Sequence, residues 1–267
     1  MLDCLVNGEL SAHLPASDRG LHYGDGIFET LAVFKGSPRF WQAHVDRLQA
    51  GCTALGLQNV AQSILLREVQ TVSAGHARCV VKIILTRGVG GRGYAPPTEP
   101  WPTRVVCAYP FPDDTEALAR QGVHARLCNL RLAIQPALAG IKHLNRLEQV
   151  LARAEWSDPA IHEGLLLDPE DHVICATAGN IFLVSSDRLL TPRMDRCGVR
   201  GVMRGAILQA FKLRCEQRRI ALDMLPEADE VFICNAVRGI LPVTRVGQWR
   251  YAIGPNTREL QSWLGTV

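Results

Sequence analysis

Lysine is scarce in this chain: of 29 basic side chains only four are lysines, Lys35, Lys82, Lys142 and Lys212. An arginine-favouring chain has replaced most solvated lysines. Arginine cannot stand in where an amine must become neutral and attack a carbonyl. Lys35 lies in the turn Phe34-Lys35-Gly36-Ser37-Pro38, Lys212 lies on a predicted helix, and Lys82 interrupts a predicted strand where it can point to solvent. Lys142 lies in Leu138-Ala139-Gly140-Ile141-Lys142-His143, just ahead of a predicted helix. Position alone reads it as a solvated helix-entrance lysine. The flanking Leu138, Ile141 and Leu144 allow a sharper reading, an amine lowered in pKa by partial burial and bonded to an aldehyde.

Three other segments could serve such an amine. In Gly198-Val199-Arg200-Gly201-Val202-Met203-Arg204, two glycines precede an amphipathic helix, whose first amides and dipole favour a phosphate. The plain alternative is a glycine-containing loop feeding a helix. The stretch Thr86-Arg87-Gly88-Val89-Gly90-Gly91-Arg92-Gly93-Tyr94 carries two guanidiniums and a phenol on a glycine-rich loop. It suits a lid over a polyanionic small molecule, since arginine binds carboxylates through paired hydrogen bonds; it equally suits a flexible hairpin with solvated arginines. In His22-Tyr23-Gly24-Asp25-Gly26-Ile27-Phe28-Glu29-Thr30, Asp25-Gly26 fits a tight turn into a strand. Arg47 lies off the apolar stripe of its helix, so spacing reads it as solvated. No HExxH or His/Cys cluster supports a metal, no GxSxG elbow appears, and neither P-loop nor Rossmann fingerprint is present.

Elements must position these residues. Leu2–Asn7, Ile27–Phe34, Cys79–Arg87 and Arg104–Tyr109 read as strands. Val45, Leu48, Cys52 and Leu55 recur at helical spacing, predicting a helix over Gln42–Leu55, with a weaker one over Val60–Ser73. Pro110-Phe111-Pro112-Asp113-Asp114 breaks regular structure and is the best boundary. Beyond it, strands are expected at Val123–Cys128, Leu165–Asp168, Val173–Ala176, Asn180–Val184, Ile220–Leu222 and Glu230–Cys234. Helices are expected over Leu144–Trp156 and around Val202, Met203, Ile207, Ala210 and Phe211. Strands dominate without βαβ alternation, so the fold class is α+β in two lobes, 1–112 and 113–267, the later one a compact, barrel-like sheet.

Composition excludes several classes. A net charge of +3 without a basic block argues against nucleic acid or acidic membranes. No apolar run is long enough to span a bilayer, and Met1–Leu10 lacks a leader pattern. Nine cysteines form an odd set without CxxC spacing and sit singly in apolar segments, as at Cys52, Cys79, Cys107, Cys128 and Cys234. The expectation is reduced thiols packed as small hydrophobes in a cytoplasmic protein.

Taken together the segments resemble the class IV aminotransferase family, the fold-type IV pyridoxal phosphate enzymes. The resemblance rests on Ser17-Asp18-Arg19-Gly20 with Tyr23-Gly24-Asp25-Gly26-Ile27-Phe28-Glu29-Thr30, and on His44-Val45-Asp46-Arg47-Leu48. It continues through Gly91-Arg92-Gly93-Tyr94, Gly140-Ile141-Lys142-His143-Leu144-Asn145-Arg146-Leu147 and Ala178-Gly179-Asn180-Ile181-Phe182. It ends on Thr191-Pro192, Gly201-Val202-Met203-Arg204 and Asp229 to Ala236. It implies a small α/β sandwich lobe, a larger barrel-like cofactor lobe and a homodimer. It implies that Lys142 carries pyridoxal 5'-phosphate as a Schiff base and shuttles protons, with Thr30 assisting. Arg47 would bind the phosphate, against the reading from spacing. The amides of Val202 and Met203 and the Asn235-Ala236 turn would complete the phosphate cup. Arg146 stands where transaminases place a tyrosine near the phenolic oxygen, and Arg87, Arg92 and Tyr94 are candidates for substrate carboxylates.

One departure separates this chain from the family pattern. Members carry a glutamate that keeps the pyridine nitrogen protonated; counted back from Asn180, that position is Cys175. A thiol is a weak donor and no counter-charge. Within the family the Lys142 block and the Gly91-Arg92-Gly93-Tyr94 loop most resemble members that eliminate pyruvate from 4-amino-4-deoxychorismate; that elimination makes an aromatic ring, so the weaker electron sink favours it over transamination. D-amino-acid or branched-chain transamination is the alternative activity, and a non-catalytic relative is the alternative class.

Overall fold

The computed structural model is described over residues 1–266 and divides into two compact units. The first unit comprises Met1–Phe111 and takes in the later segment Ile141–Asn145; the second comprises Pro112–Gly140 and the chain from Arg146 onward.

The first unit runs β1 (Cys4–Val6), β2 (Glu9–Leu10), α1 (Arg19–Tyr23), β3 (Gly26–Phe34), β4 (Ser37–Pro38), α2 (Trp41–Leu55), α3 (Gln62–Ser73), β5 (Arg78–Thr86) and β6 (Thr103–Pro110). Its six strands form an antiparallel sheet in the order β2-β1-β6-β5-β3-β4. The apolar stripe of α2, with Val45, Leu48 and Cys52 buried, and that of α3, with Leu65, Val69 and Val72 buried, follow the helical period. Leu48, Cys52, Leu65, Val69 and Val72 share one core with Ile27, Leu31, Val81, Ile83 and Val106 of the sheet. Burying a leucine side chain in such a core contributes roughly 2–3 kcal/mol.

The second unit runs α4 (Thr115–Gln121), β7 (Val123–Arg131), α5 (Leu147–Arg153), β8 (Glu163–Leu167), β9 (His172–Ala176), β10 (Asn180–Ser185), β11 (Arg188–Pro192) and α6 (Val202–Ala210). It continues with β12 (Cys215–Arg218), β13 (Ile220–Ala221), β14 (Glu230–Asn235), β15 (Gly239–Val246), β16 (Trp249–Arg250) and α7 (Pro255–Leu264). The strands form one mixed sheet, β12-β11-β10-β14-β15-β7-β8-β9-β13, with β16 beside β15. Residues from strands far apart in that order, including Leu190 of β11, Val231 of β14, Val123 of β7 and Val173 of β9, meet in a single core. A flat sheet cannot do this, so the sheet curls around its own interior, as the barrel-like expectation requires.

Several expectations are corrected. The second-unit helix starts at Leu147 rather than Leu144, because Leu144 is engaged elsewhere: its amide donates to the Gly26 carbonyl at 2.9 Å. Cys4 and Cys107, expected as single thiols, face each other across β1 and β6 and are joined as a disulfide; among the described residues seven cysteines are free. The two are 103 residues apart, and their encounter follows from strand register, which spacing does not reveal. No described helix is long and apolar enough to cross a membrane.

Leu31 is fully buried on β3 beneath α2. Leu31→Ala should therefore lower the unfolding free energy by about 2–5 kcal/mol in a denaturant titration. A loss under about 1 kcal/mol would mean that the site collapses around the smaller side chain.

Candidate active site

Strand β3 alternates its side chains between two faces. Ile27, Glu29 and Leu31 are buried, whereas Phe28 and Thr30 are half-buried on the other side. Glu29 thus joins an otherwise apolar face that packs against α2. It needs partners, and α2 supplies two of them three residues apart. His44 Nδ1 lies 2.6 Å from Glu29 Oε2, and Arg47 donates through Nε to Glu29 Oε1 at 2.7 Å and through Nη2 to Oε2. Burial alone would raise the Glu29 carboxyl; the charge of Arg47 and the bonds from Arg47 and His44 outweigh it and hold the pKa below the ordinary range. Burial pushes His44 the other way, downward, and Glu29 only partly offsets this. A neutral His44 that donates from Nδ1 leaves Nε2 as an acceptor, and that atom is buried with no hydrogen-bond partner among the described residues.

The Lys142 segment docks on the same strand. Phe28 donates its amide to the Lys142 carbonyl at 3.0 Å, and Ile27 bridges His143. Asn145 Nδ2 reaches the Gly24 carbonyl at 3.2 Å. Close approach requires glycine at Gly26, where a Cβ would lie 2.5 Å from the Leu85 carbonyl oxygen and 2.8 Å from Leu144. Lys142 is half-buried, and its Nζ stands 4.1 Å from the centre of the Phe28 ring. Its charge is among the influences that lower His44. Thr30 lies on the Phe28 side of β3. The first unit therefore brings together Lys142, Phe28, Glu29, His44 and Arg47. Lys82, expected toward solvent, is half-buried with Nζ 4.9 Å from the same ring, and burial lowers its pKa.

The glycine-rich loop is not the free hairpin that the sequence allowed. Arg19, 4% exposed, donates to the carbonyls of Gly93 (3.1 Å), Tyr94 (2.9 Å) and Ala95 (3.2 Å). Arg87 donates to Asp25 (2.8 and 3.0 Å) and to the carbonyls of Gly56 and Leu55 at the end of α2 (2.7 and 2.8 Å). These bonds occupy the guanidinium that was a candidate for a substrate carboxylate. Arg92 and Tyr94 are exposed on the loop.

In the second unit, α6 begins after Gly201 with no side chain capping its first turn. The turn is held from two sides. Asn180 Nδ2 donates to the Val199 carbonyl at 2.9 Å, and Gly140 exchanges backbone bonds with Gly198 and Arg200. A Cβ on Gly201 would lie 2.0 Å from Asn180 Oδ1, so only glycine lets the loop close on that amide. Val202 and Met203 side chains are buried. Asn235 shapes the turn after β14: its Oδ1 accepts from the Val237 and Arg238 amides, and its Nδ2 reaches the Ala178 carbonyl. Ala236 lies in that turn. Cys175 is buried; burial first, then Cys197 and Glu163, push its thiol far up, so it stays protonated and uncharged. The half-buried Arg146, at the start of α5, is lowered by burial and lies within electrostatic reach of Cys175.

Sequence reasoning missed Glu29, His44, Arg19 and Asn180. A usable signal existed for the first pair: a carboxylate alternating with Ile27 and Leu31 demands a buried cation or donor. Within the first unit, an amine and a carboxylate-held guanidinium suit a molecule with an aldehyde and an anionic group; within the second, a helix start with no side-chain cap suits a phosphate.

The family model for amino-transferase class IV matches residues 26–246. The chain belongs to this class IV aminotransferase family. Within it, the chain is 37% identical to the aminodeoxychorismate lyase of Vibrio harveyi, over 98% of this chain and 99% of the relative. A solved 4-amino-4-deoxychorismate lyase from Pseudomonas aeruginosa superposes with a TM-score of 0.93 at 44% identity, covering 98% of both chains. The branched-chain amino acid aminotransferase of Escherichia coli shares the fold, with a TM-score of 0.87 at 22% identity over 99% of this chain and 94% of its own.

Glu29 offers a direct check. Glu29→Gln removes the charge from a buried carboxylate that Arg47 and His44 hold, which should cost about 3–5 kcal/mol at neutral pH. Because the folded pKa of Glu29 is depressed, its stabilisation is present above the ordinary glutamate pKa and lost as pH falls through the folded value. The gap between wild type and variant should shrink in acid. Denaturant melts across that window check it, and a pH-independent gap would contradict the pairing.

Proposed function

We propose that this protein is a pyridoxal phosphate-dependent lyase that converts 4-amino-4-deoxychorismate to 4-aminobenzoate and pyruvate, a step toward folate. The observation that carries this reading is full-length similarity to lyases of that name, at 37% and 44% identity, combined with a half-buried Lys142 docked on β3. Pyridoxal phosphate, when bound, supplies an aldehyde for an amine and a ring that accepts electrons from the reacting carbon. Lys142 is the amine that holds it and then moves a proton at the carbon bearing the substrate nitrogen. Thr30, on the Phe28 side of β3, assists that proton movement.

Arg47 binds the phosphate, oriented by Glu29. The Val202 and Met203 amides and the Asn235-Ala236 turn share that task. Arg146, at the position where transaminases place a tyrosine, would help hold the phenolic oxygen of the cofactor. Arg92 and Tyr94 receive the substrate carboxylates, with Arg87 supporting the loop that carries them. Cys175, a neutral thiol, would supply no counter-charge to the ring nitrogen, which would favour an elimination driven by aromatisation over transamination. The working form is a homodimer, for which the exposed apolar side chains Leu147, Val150 and Leu151 of α5 offer a surface. A cytoplasmic location suits a metabolic enzyme with seven free cysteines, although the Cys4–Cys107 disulfide weighs the other way.

Two measurements test the reading. Purified enzyme should release pyruvate from 4-amino-4-deoxychorismate without any 2-oxo acid acceptor, and borohydride should fix the cofactor on the peptide containing Lys142. Lys142→Ala should lose both signals. Pyruvate release that depends on an added 2-oxo acid would favour the transaminase instead. Cys175→Glu should raise transaminase side activity more than lyase activity; equal effects on both would remove the role given to the thiol.

A further inference from the structure

The 88–95 loop is shaped by one short segment of the same unit. Backbone comes first: Arg19 donates its amide to the Gly88 carbonyl at 2.9 Å, Asp18 bridges Val89, and Gly90 donates to the Ser17 carbonyl at 3.4 Å. Asp18 is buried and ties this contact to the end of β5, accepting from Thr86 Oγ1 at 3.0 Å and from the Gly20 amide at 2.8 Å. The Arg19 side chain then crosses beneath the loop. A Cβ on Gly90 would lie 2.7 Å from Arg19 Cδ, so the loop backbone rests on the arginine stem. The guanidinium ends on three successive carbonyls, those of Gly93, Tyr94 and Ala95.

Asp25 closes the arrangement. Its Oδ2 accepts from Arg19 Nε and from Arg87 Nε, each at 2.8 Å. One carboxylate thus joins the arginine at the start of the loop to the arginine that grips its far end. Burial alone would raise Asp25, but the bonds and charges of Arg87 and Arg19 bring it below the ordinary range. Aromatic contacts continue the support: the Arg19 guanidinium lies 4.8 Å from the Tyr23 ring centre, and Tyr23 meets the Tyr94 ring edge-on at 5.5 Å.

We infer that Arg19 is a positioning residue for substrate recognition, holding the 88–95 loop in one shape so that Arg92 and Tyr94 meet the carboxylates of an anionic substrate. Ordering a flexible backbone costs roughly 1–2 kcal/mol per residue, and a loop ordered in advance spares binding that cost. Only a planar fork can reach the Asp25 carboxylate and three carbonyls together; an ammonium is a point donor on a flexible stem. This inference rests on the lyase reading for the identity of the substrate, but the clamp itself rests on the bonds described.

The test compares wild type, Arg19→Lys and a control, Arg104→Lys, all as holoenzymes. The control removes a half-buried guanidinium of the same unit, one that pairs with Glu68. In Arg19→Lys, KM for 4-amino-4-deoxychorismate should rise about tenfold, the factor that 1.4 kcal/mol of lost binding gives, while kcat stays within about twofold. Trypsin cleavage after the exposed Arg92, followed by mass spectrometry, should accelerate. The cofactor absorbance should not change, and the control should show neither effect. With an active wild type, an unchanged KM or unchanged cleavage in Arg19→Lys overturns the inference, as does an equal response in the control. A wild type that releases no pyruvate overturns the lyase reading instead, and unchanged cleavage would still remove the clamp.

Discussion

A β-strand shows alternate residues to opposite sides, and β3 uses the two sides for different work. One side packs against α2 and should be wholly apolar, yet it carries Glu29 between Ile27 and Leu31. A buried carboxylate without partners would be protonated or would unfold the region. His44 and Arg47 prevent this by meeting it from one face of α2. The other side carries Phe28 and Thr30, and over Phe28 stands the Lys142 amine. Strand register therefore fixes both the direction of the guanidinium and the place of the amine.

The same unit treats its glycine-rich loop as built structure. Glycines free the backbone, and Asp18, Arg19 and Asp25 then spend charged, buried hydrogen bonds on holding it. Such bonds are stronger than neutral ones. The exposed Arg92 and Tyr94 stand on a scaffold that is already ordered.

In the second unit, chemistry is set more by backbone than by charge. Gly201 and Asn180 let the chain enter α6 with its first amides uncapped by any side chain. Near Arg146, the buried Cys175 remains a neutral thiol. A relative of aminotransferases that lacks a charged group at this position has less means to stabilise a carbanion. Under the proposed function, elimination into an aromatic product asks less of the electron sink, and the thiol at this position is in keeping with the similarity to lyases.

Much of this was legible in the sequence. Rarity drew attention to four lysines and apolar flanks to Lys142 among them, motif order identified the family, glycine placement marked the α6 entrance, and helical spacing placed α2. These are local properties, written in residue type and short-range period. What spacing could not show was pairing between distant residues. Arg47 looked solvated because it lies off the apolar stripe, and only the packing of α2 on β3 gave it Glu29. Arg87 looked like a ligand for substrate until Asp25 and the end of α2 took its donors. Cys4 and Cys107 met only because β1 and β6 are neighbours in register. Local sequence determines which groups are present and which elements carry them. Tertiary structure decides which charges neutralise one another, because that depends on contacts whose separation along the chain no periodicity encodes.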